Sequence, residues 1–244
     1  MENDAIIYGI HAIEQALMTN TSIGKIFVQK GLSGPTFKTL ESKIRQAQIP
    51  TSYVPVEKLN RLTKGNHQGV VAQISPVAFV NFEIMITEAQ EKQEAPLFVI
   101  LDQVSDVRNV GAILRTASCT NVSGVIIPKT GSAPLNEDTV KTSAGGIFEV
   151  PIAKVDHIKD AIYYLQASEI QVVAITEKAE ESFYQADFTK ATAIIMGSEG
   201  KGIMDSVLNL SDMRVKIPMS GNVGSLNVSV ACSVCLYETI RQRR

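Results

Sequence analysis

Apolar residues in the second half of the chain gather in short continuous runs that alternate with segments of helical periodicity. The apolar runs are residues 97–101, 124–127, 171–175 and 193–196, and the helical segments are residues 110–118, 158–166 and 203–208. Uninterrupted apolar runs of this length are typical of strands buried on both faces of a parallel sheet. Their alternation with helices predicts an α/β fold.

The first 76 residues show a separate α/β pattern. It predicts helices at 11–18 and 56–62 and strands at 25–29, 52–54 and 70–74. Pro35 opens a further helix, because proline fits the first helical turn. The apolar face of that helix is predicted to hold Phe37, Leu40, Ile44 and Ala47. We therefore expect a small α/β domain over residues 1–76.

Residues 77–95 separate the two patterns. Their second part is acidic and rich in glutamine, and it has few apolar residues. We interpret this stretch as a partly helical linker; a solvated helix face is an equal alternative. The chain is then divided into a small domain at 1–76, a linker at 77–95 and a larger domain at 96–244.

Composition excludes several classes of protein. The 244 residues are 45% hydrophobic and 20% charged, which is typical of globular proteins and not of disordered or collagen-like chains. No apolar run reaches the roughly 18 residues of a membrane span. The first four residues include two acidic residues and no basic one, so the basic region of a signal peptide is missing. We expect a cytoplasmic protein that is not bound to a membrane.

Three cysteines are too few for a disulfide framework. Cys232 and Cys235 form a C-x-x-C inside an apolar run, but further cysteines and histidines with metal-ligand spacing are missing from the sequence. We interpret both as buried core residues and expect no metal site.

The net charge of −2 gives no overall nucleic-acid signature. The first 76 residues, however, hold eight basic and five acidic residues. This local excess agrees with RNA contact and equally with an ordinary solvated surface. The basic residues in question are Lys25, Lys30, Lys38, Lys43, Arg45, Lys58, Arg61 and Lys64, and the end of the chain adds a basic tail at 241–244.

Three polar segments follow apolar strands, where the ligands of open α/β sheets bind. The first, DVRNVGAILRTA at 106–117, holds Asn109 and Arg115. Asn109 is a helix cap or a ligand contact. Arg115 is flanked by apolar residues in a helix that we expect to be mostly buried, so it needs an anionic partner. That partner is either a structural carboxylate or a phosphate or other substrate group.

The other two segments are rich in glycine. IIMGSEGKGI at 194–203 matches neither a P-loop nor G-x-G-x-x-G, so by itself it indicates a small-ligand site or a tight turn. IPMSGNVGSLNVSVA at 217–231 places Ser225, Asn227 and Ser229 at the start of a helix. These residues are either caps or part of a site for the anionic end of a ligand.

In this order, the three segments resemble the three motifs of the SpoU/TrmH family of RNA 2′-O-ribose methyltransferases. YGIHAIEQAL at 8–17 and NHQGV at 66–70 resemble parts of the family's accessory RNA-binding domain. The resemblance therefore extends over almost the whole chain, and it is closest to bacterial 23S rRNA guanosine 2′-O-methyltransferases. One departure is DVR at 106–108, where many members have Asp-Pro, and it bears on the RNA target rather than on the chemistry.

The resemblance implies a catalytic domain with a deep C-terminal trefoil knot, whereas connection rules alone predict an unknotted sheet. It implies S-adenosylmethionine as methyl donor, RNA as substrate, and a homodimer with each active site at the interface. The catalytic residues it implies are Asn109, Arg115, Glu199, Ser225 and Asn227. The residues it implies for cofactor binding are Gly197, Ile217, Met219 and Leu226, mostly through backbone groups, with Met219 next to the adenine.

The sequence also allows three alternative functions. A relative of the same family that methylates tRNA would have the same motifs. A non-catalytic RNA-binding or ribosome-assembly factor would not need all five implied catalytic residues. A nucleotide-dependent oxidoreductase is suggested only by the sheet and the glycines, and it lacks G-x-G-x-x-G.

Overall fold

The computed structural model describes residues 6–18, 21–47, 49–75, 77–222 and 224–244. It divides into two compact units. The N-terminal unit comprises Met1–Ala78 with Leu135–Glu137, and the C-terminal unit comprises Phe79–Pro134 with Asp138–Arg244.

The N-terminal unit contains a four-stranded sheet with the order β1-β4-β2-β3. Its strands are β1 (Ile6–Tyr8), β2 (Ile23–Gln29), β3 (Thr51–Val54) and β4 (Val70–Ile74). Its helices are α1 (Ile10–Met18), α2 (Pro35–Gln46) and α3 (Val56–Leu62). The predicted elements are all present, and β1, which is only three residues long, is additional. Ala47 lies just beyond α2 and is exposed, so it is not part of the apolar face.

Helices cover both faces of this sheet. Ile13 of α1 and Leu40 of α2 are fully buried in one cluster with Ile26 of the sheet. On the other face, Leu59 of α3 is buried against Phe27 and Val71. Adjacent residues of a strand point to opposite faces, so Ile26 and Phe27 belong to different clusters.

The C-terminal unit contains a seven-stranded sheet with the order β7-β6-β5-β10-β8-β11-β9, and every neighbouring pair is parallel. The strands are β5 (Leu97–Asp102), β6 (Gly124–Pro128), β7 (Ile152–Val155), β8 (Gln171–Ile175), β9 (Glu181–Ser182), β10 (Thr192–Gly197) and β11 (Met213–Lys216). β5, β6 and nearly all of β10 are fully buried, as the continuous apolar runs require. The predicted α/β class with a parallel sheet is confirmed.

The helices of this unit are α4 (Phe82–Lys92), α5 (Val107–Cys119), α6 (Glu137–Ser143), α7 (Ile158–Ala167), α8 (Asp205–Leu208) and α9 (Val228–Gln242). α4 lies within the stretch interpreted as a linker. Asn81 caps it, and Met85, Ile86 and Ala89 are buried in the core of the C-terminal unit. Three apolar side chains on one face are thus enough to pack this helix, although its outer face is acidic.

The sheet order brings distant segments together. β10 lies between β5 and β8, and in this register Gly197 pairs with Asp102. Because the strands are parallel, the segments that follow β5, β8, β10 and β11 meet at one edge of the sheet. No helix among the described residues has the length and apolar character needed to span a membrane.

Candidate active site

A cavity of about 600 Å³ opens at this edge of the sheet. Its walls come from the end of β8, from the segment after β10 and from the segment between β11 and α9. The four residues expected to bind the cofactor, Gly197, Ile217, Met219 and Leu226, all line it. Glu199, Ser225 and Asn227 line it as well, so seven of the nine expected site residues meet in one place.

The glycine loop, residues 198–203, closes on itself beside the cavity. The backbone N–H of Ser198 donates to the carbonyl of Gly202 (3.1 Å), and the N–H of Gly202 donates to the carbonyl of Ser198 (2.9 Å). Gly202 has a φ of +70°, which favours glycine. A Cβ on Gly197 would lie 2.2 Å from the carbonyl carbon of Gly202. Gly197 is therefore required by close packing of backbone against backbone.

Three polar side chains from separate segments form a hydrogen-bonded network at the cavity. Nδ2 of Asn109 donates to Oε1 of Glu199 (3.1 Å), and Nδ2 of Asn227 donates to Oδ1 of Asn109 (2.9 Å). Nδ2 of Asn227 also donates to Oε1 of Glu199. Two amides therefore hold one oxygen of the Glu199 carboxylate in a fixed direction.

Only one of the two asparagines is a helix cap. Oδ1 of Asn227 accepts from the N–H groups of Ser229 (3.0 Å) and Val230 (3.3 Å), so Asn227 caps α9 and belongs to the network at the same time. The cap of α5 is Asp106, whose carboxylate accepts from two backbone N–H groups. Asn109 lies inside α5, and its side chain is thus available to Glu199.

Arg115 lies apart from this network, and the expectation that it is buried was wrong. Its side chain is exposed and makes no hydrogen bond or ion pair within the described ranges. Successive residues of a helix point about 100° apart, so the buried Ile113 and Leu114 do not bury Arg115. It follows Asn109 by six residues, or about 9 Å along α5, and it does not line the cavity.

The cavity is acidic. Glu177 and Glu199 line it, and its lining includes no Lys, Arg or His from the described part of the chain. Glu177 and its neighbour Thr176 were missed in the sequence. The available signal was their position directly after the apolar run of β8, where ligands of parallel sheets bind.

A further carboxyl group lies beside the glycine loop. Asp102, the last residue of β5, is fully buried, and its Oδ2 accepts a hydrogen bond from the N–H of Met204 (2.8 Å). Burial raises the pKa of Asp102, and the Met204 hydrogen bond opposes that rise. In the sequence, Asp102 is signalled only as an acidic residue that ends an apolar strand.

The C-x-x-C does not contribute to the site. Cys232 and Cys235 are fully buried in α9, as predicted. Burial raises the pKa of Cys232 to about 12 and also raises that of Cys235, so both remain thiols at neutral pH. Among the described residues, no group of three or more His, Cys, Asp or Glu is arranged to hold a metal ion.

Two families match the chain. Residues 96–237 match the SpoU rRNA Methylase family, and residues 6–80 match the family described as RNA 2′-O ribose methyltransferase substrate binding. The chain is 38% identical over 240 residues to the 23S rRNA (guanosine-2′-O-)-methyltransferase RlmB of Pseudomonas putida, covering 98% of this chain and 96% of the relative. It is 35% identical to a putative TrmH family tRNA/rRNA methyltransferase of Staphylococcus aureus, with 98% and 97% covered.

Solved structures show the same fold. The AdoMet-bound rRNA methyltransferase from Sinorhizobium meliloti aligns with a TM-score of 0.62 at 25% identity, covering 97% of this chain and 86% of that one. The SpoU methyltransferase AviRb from Streptomyces viridochromogenes aligns with a TM-score of 0.63 at 23% identity, covering 99% and 90%, which is a likeness of fold.

Proposed function

This chain belongs to the SpoU rRNA methylase family, and we propose that it methylates the ribose 2′-hydroxyl of a guanosine in 23S rRNA. S-adenosylmethionine is the methyl donor. The observation that carries the proposal is the hydrogen-bonded network in which Asn109 contacts Glu199 and Asn227, two residues that line the cavity. The 38% sequence identity to the RlmB of Pseudomonas putida supports the choice of 23S rRNA and guanosine.

The cavity fits the donor. S-adenosylmethionine, when bound, supplies an electrophilic methyl group on a positively charged sulfur. Two carboxylates, with no cationic side chain among the described lining residues, favour a positively charged ligand. Gly197, Ile217 and Leu226 are placed to offer backbone groups, and Met219 offers an apolar surface for the adenine.

Methyl transfer forms a bond between the ribose 2′-oxygen and the methyl carbon, while the bond from that carbon to sulfur breaks and the hydroxyl proton leaves. The protein must orient the ribose and favour loss of the proton. Positioning of this kind supplies roughly 7–11 kcal/mol in well-oriented systems. We assign orientation of the ribose to Glu199 and Ser225, with Asn109 and Asn227 holding Glu199.

We assign electrostatic stabilisation to Arg115. A guanidinium has a pKa above about 12 and does not act as a base at neutral pH. Arg115 instead binds an RNA phosphate and stabilises the negative charge that develops on the 2′-oxygen. The proton leaves to that phosphate or to water.

The distance of Arg115 from its own cavity supports a homodimer in which Arg115 serves the site of the other copy. The apolar side chains of Phe148, Val230 and Tyr237 are exposed on the same unit. The turn at Gly146–Phe148 packs on α5 near Arg115, and α9 packs on α5 through Thr116 and Ser233. A second copy that covers this surface would bury the apolar side chains beside Arg115.

The N-terminal unit is the part that we propose to contact RNA, since residues 6–80 match a substrate-binding family. In functional terms, residues 1–76 bind RNA and residues 96–244 carry out catalysis. Residues 77–95 connect them in sequence, with α4 packed in the core of the C-terminal unit. This activity belongs in the cytoplasm, where ribosomal RNA of bacteria is made.

The resemblance also implies a trefoil knot, and we propose that the end of α9 contributes to it. Arg243 donates hydrogen bonds to the carbonyls of Ala95, Phe188 and Lys190, which precede β5 and β10. These contacts support a C-terminus that is tied to two distant segments.

The test is methylation of unmodified 23S rRNA and of unmodified tRNA with labelled donor, followed by alkaline hydrolysis. We expect label in 23S rRNA at a linkage that resists alkali, and its loss in Arg115→Ala. Label in tRNA would overturn the choice of RNA. Donor binding without label in either RNA would favour the non-catalytic assembly factor.

A further inference from the structure

Asp102 has a position that the proposed chemistry does not explain. Its carboxyl group is fully buried beside the cavity, and it does not line the cavity. Oδ2 accepts from the N–H of Met204 at 2.8 Å, whereas Oδ1 has no hydrogen-bond partner among the described residues. A buried carboxyl oxygen without a partner is costly, so the presence of Asp102 here calls for a reason beyond packing.

Met204 is the residue that directly follows the glycine loop. It precedes α8 as its cap residue, and the neighbour of Asp102 contacts it too, since Nε2 of Gln103 lies 3.0 Å from its Sδ. The last residue of β5 and the residue after it therefore both contact Met204. At the other end of the loop, Gly197 pairs with Asp102 in the sheet.

We propose that Asp102 is a positioning residue that fixes the exit of the glycine loop, and thereby the direction of Glu199 and the wall of the donor cavity. The inference rests on the proposed function, because it takes the cavity as the donor site. The loop closes on itself through Ser198 and Gly202, so its ends move together. Releasing Met204 then displaces the whole loop, including Glu199.

An apolar replacement removes the acceptor and leaves the N–H of Met204 unpaired. Asparagine retains a carbonyl oxygen at nearly the same place and is neutral. Asp102→Asn should therefore preserve the loop, whereas Asp102→Ala should release it. A purely space-filling role would not distinguish an acceptor from its absence in this way.

The test is titration calorimetry of S-adenosylmethionine with each purified full-length variant. We expect Asp102→Ala to weaken donor binding roughly tenfold or more, as loss of a buried hydrogen bond implies. We expect Asp102→Asn to bind within about threefold of the wild type. Equal binding by the alanine variant and the wild type would overturn the inference.

Asp212→Ala is the control for a general loss of stability, at an exposed carboxylate. Oδ2 of Asp212 accepts from the N–H of Val172, a residue of β8, at 2.7 Å. Like the bond between Met204 and Asp102, it joins a backbone N–H to a carboxylate. That bond lies at the beginning of β8, away from the cavity. We expect Asp212→Ala to lose stability and to keep its donor affinity; equal losses of affinity in both alanine variants would show a general effect of destabilisation and overturn the inference.

Met204→Pro tests the same bond from the other partner, even if Asp102→Ala fails to fold. Met204 has a φ of −58°, the angle that proline requires, and proline has no N–H to donate. We expect its donor affinity to fall as in Asp102→Ala, and unchanged affinity would overturn the inference. If the wild type itself does not bind the donor, the proposed function fails and this inference with it.

Discussion

The side-chain amide of Asn227 donates a hydrogen bond of 2.9 Å to Asn109, although 118 residues separate the two along the chain. Asn227 begins α9 and Asn109 lies in the first turn of α5. Both amides also donate to Glu199, which comes from the segment after β10. The candidate site thus depends on the packing of two helices as much as on the strands.

Asn227 has two functions that substitution can separate. Asn227→Asp keeps the oxygen that caps α9 but places a negative charge against Glu199. Asn227→Ala loses both the amide contacts and the cap, and loss of the cap costs about 1 kcal/mol of stability. We expect kcat to fall roughly 10²-fold or more in both variants. Urea unfolding should show the loss of the cap as a lower stability of the alanine variant. Full kcat in Asn227→Asp would contradict the assigned role of the network.

Gly197→Val should abolish tight donor binding. A Cβ there would lie 2.2 Å from the carbonyl carbon of Gly202, and such overpacking costs roughly 1–3 kcal/mol. Displacement of the glycine loop would then weaken donor binding about tenfold for each 1.4 kcal/mol of binding free energy lost. Gly221→Ala is the control, since no described residue lies within 4 Å of a Cβ at Gly221. Unchanged affinity in Gly197→Val would remove Gly197 from the donor site.

Arg115 should matter for catalysis and not for folding. It is exposed and has no partner in the part of the chain that the structure describes. We expect Arg115→Ala to unfold at the wild-type urea concentration and to lose almost all methyl transfer. Arg115→Lys should retain part of the activity, because it keeps a positive charge. Equal and complete loss in both variants would instead favour a strict geometric role of the guanidinium.

The basic residues of the N-terminal unit should differ in their effect on RNA. Lys25 and Lys58 both lie over the ring of Phe27, at 5.3 and 5.2 Å from its centroid, and neither forms an ion pair within the described ranges. Lys43, by contrast, pairs with Glu14 at 2.5 Å. We expect Lys25→Ala and Lys58→Ala to weaken RNA binding.

The measurement is the slope of log affinity against log salt concentration. That slope is negative, and each lost phosphate contact should reduce its magnitude by roughly 0.7–0.9. Lys43→Ala is the control, because a cation already paired with a carboxylate has less to offer a phosphate. A slope that changes in Lys43→Ala and not in the other two variants would contradict this assignment.

Asp102 should make stability depend on pH. Burial raises its pKa above the unfolded value of about 3.9, so the folded state holds the proton more tightly. Stability from this group is greatest below the unfolded pKa and is lost as the pH rises through the folded pKa. Asp102→Asn lacks this loss, so its stability relative to the wild type should increase with pH in urea unfolding. A difference independent of pH would contradict the raised pKa.

The sequence determined the fold class and most of the elements, because buried strands and helix starts produce recognisable patterns over a few consecutive residues. The continuous apolar runs of β5, β6 and β10 required strands buried on both faces, and Pro35 marked the start of α2. Two of the three polar segments were found for the same reason, since they follow β5 and β10; the third follows β11, which is only partly buried. The motifs then indicated the family, which the comparisons show.

The local sequence pattern predicted burial less well where only a few side chains of a helix decide how it packs. α4 packs through only three buried residues on an otherwise acidic helix, and Arg115 is exposed although both preceding residues are buried.

Only the tertiary structure decided which polar residues meet. Asn109 and Arg115 stand in one segment of the sequence, but the helix directs Asn109 to Glu199 and leaves Arg115 exposed. Nothing in the sequence indicates that Asp102 accepts a hydrogen bond from Met204, which is 102 residues away. The physical reason is that apolar burial depends on spacing along the chain, whereas a polar partner is chosen by sheet order and register, which bring distant residues to the same edge.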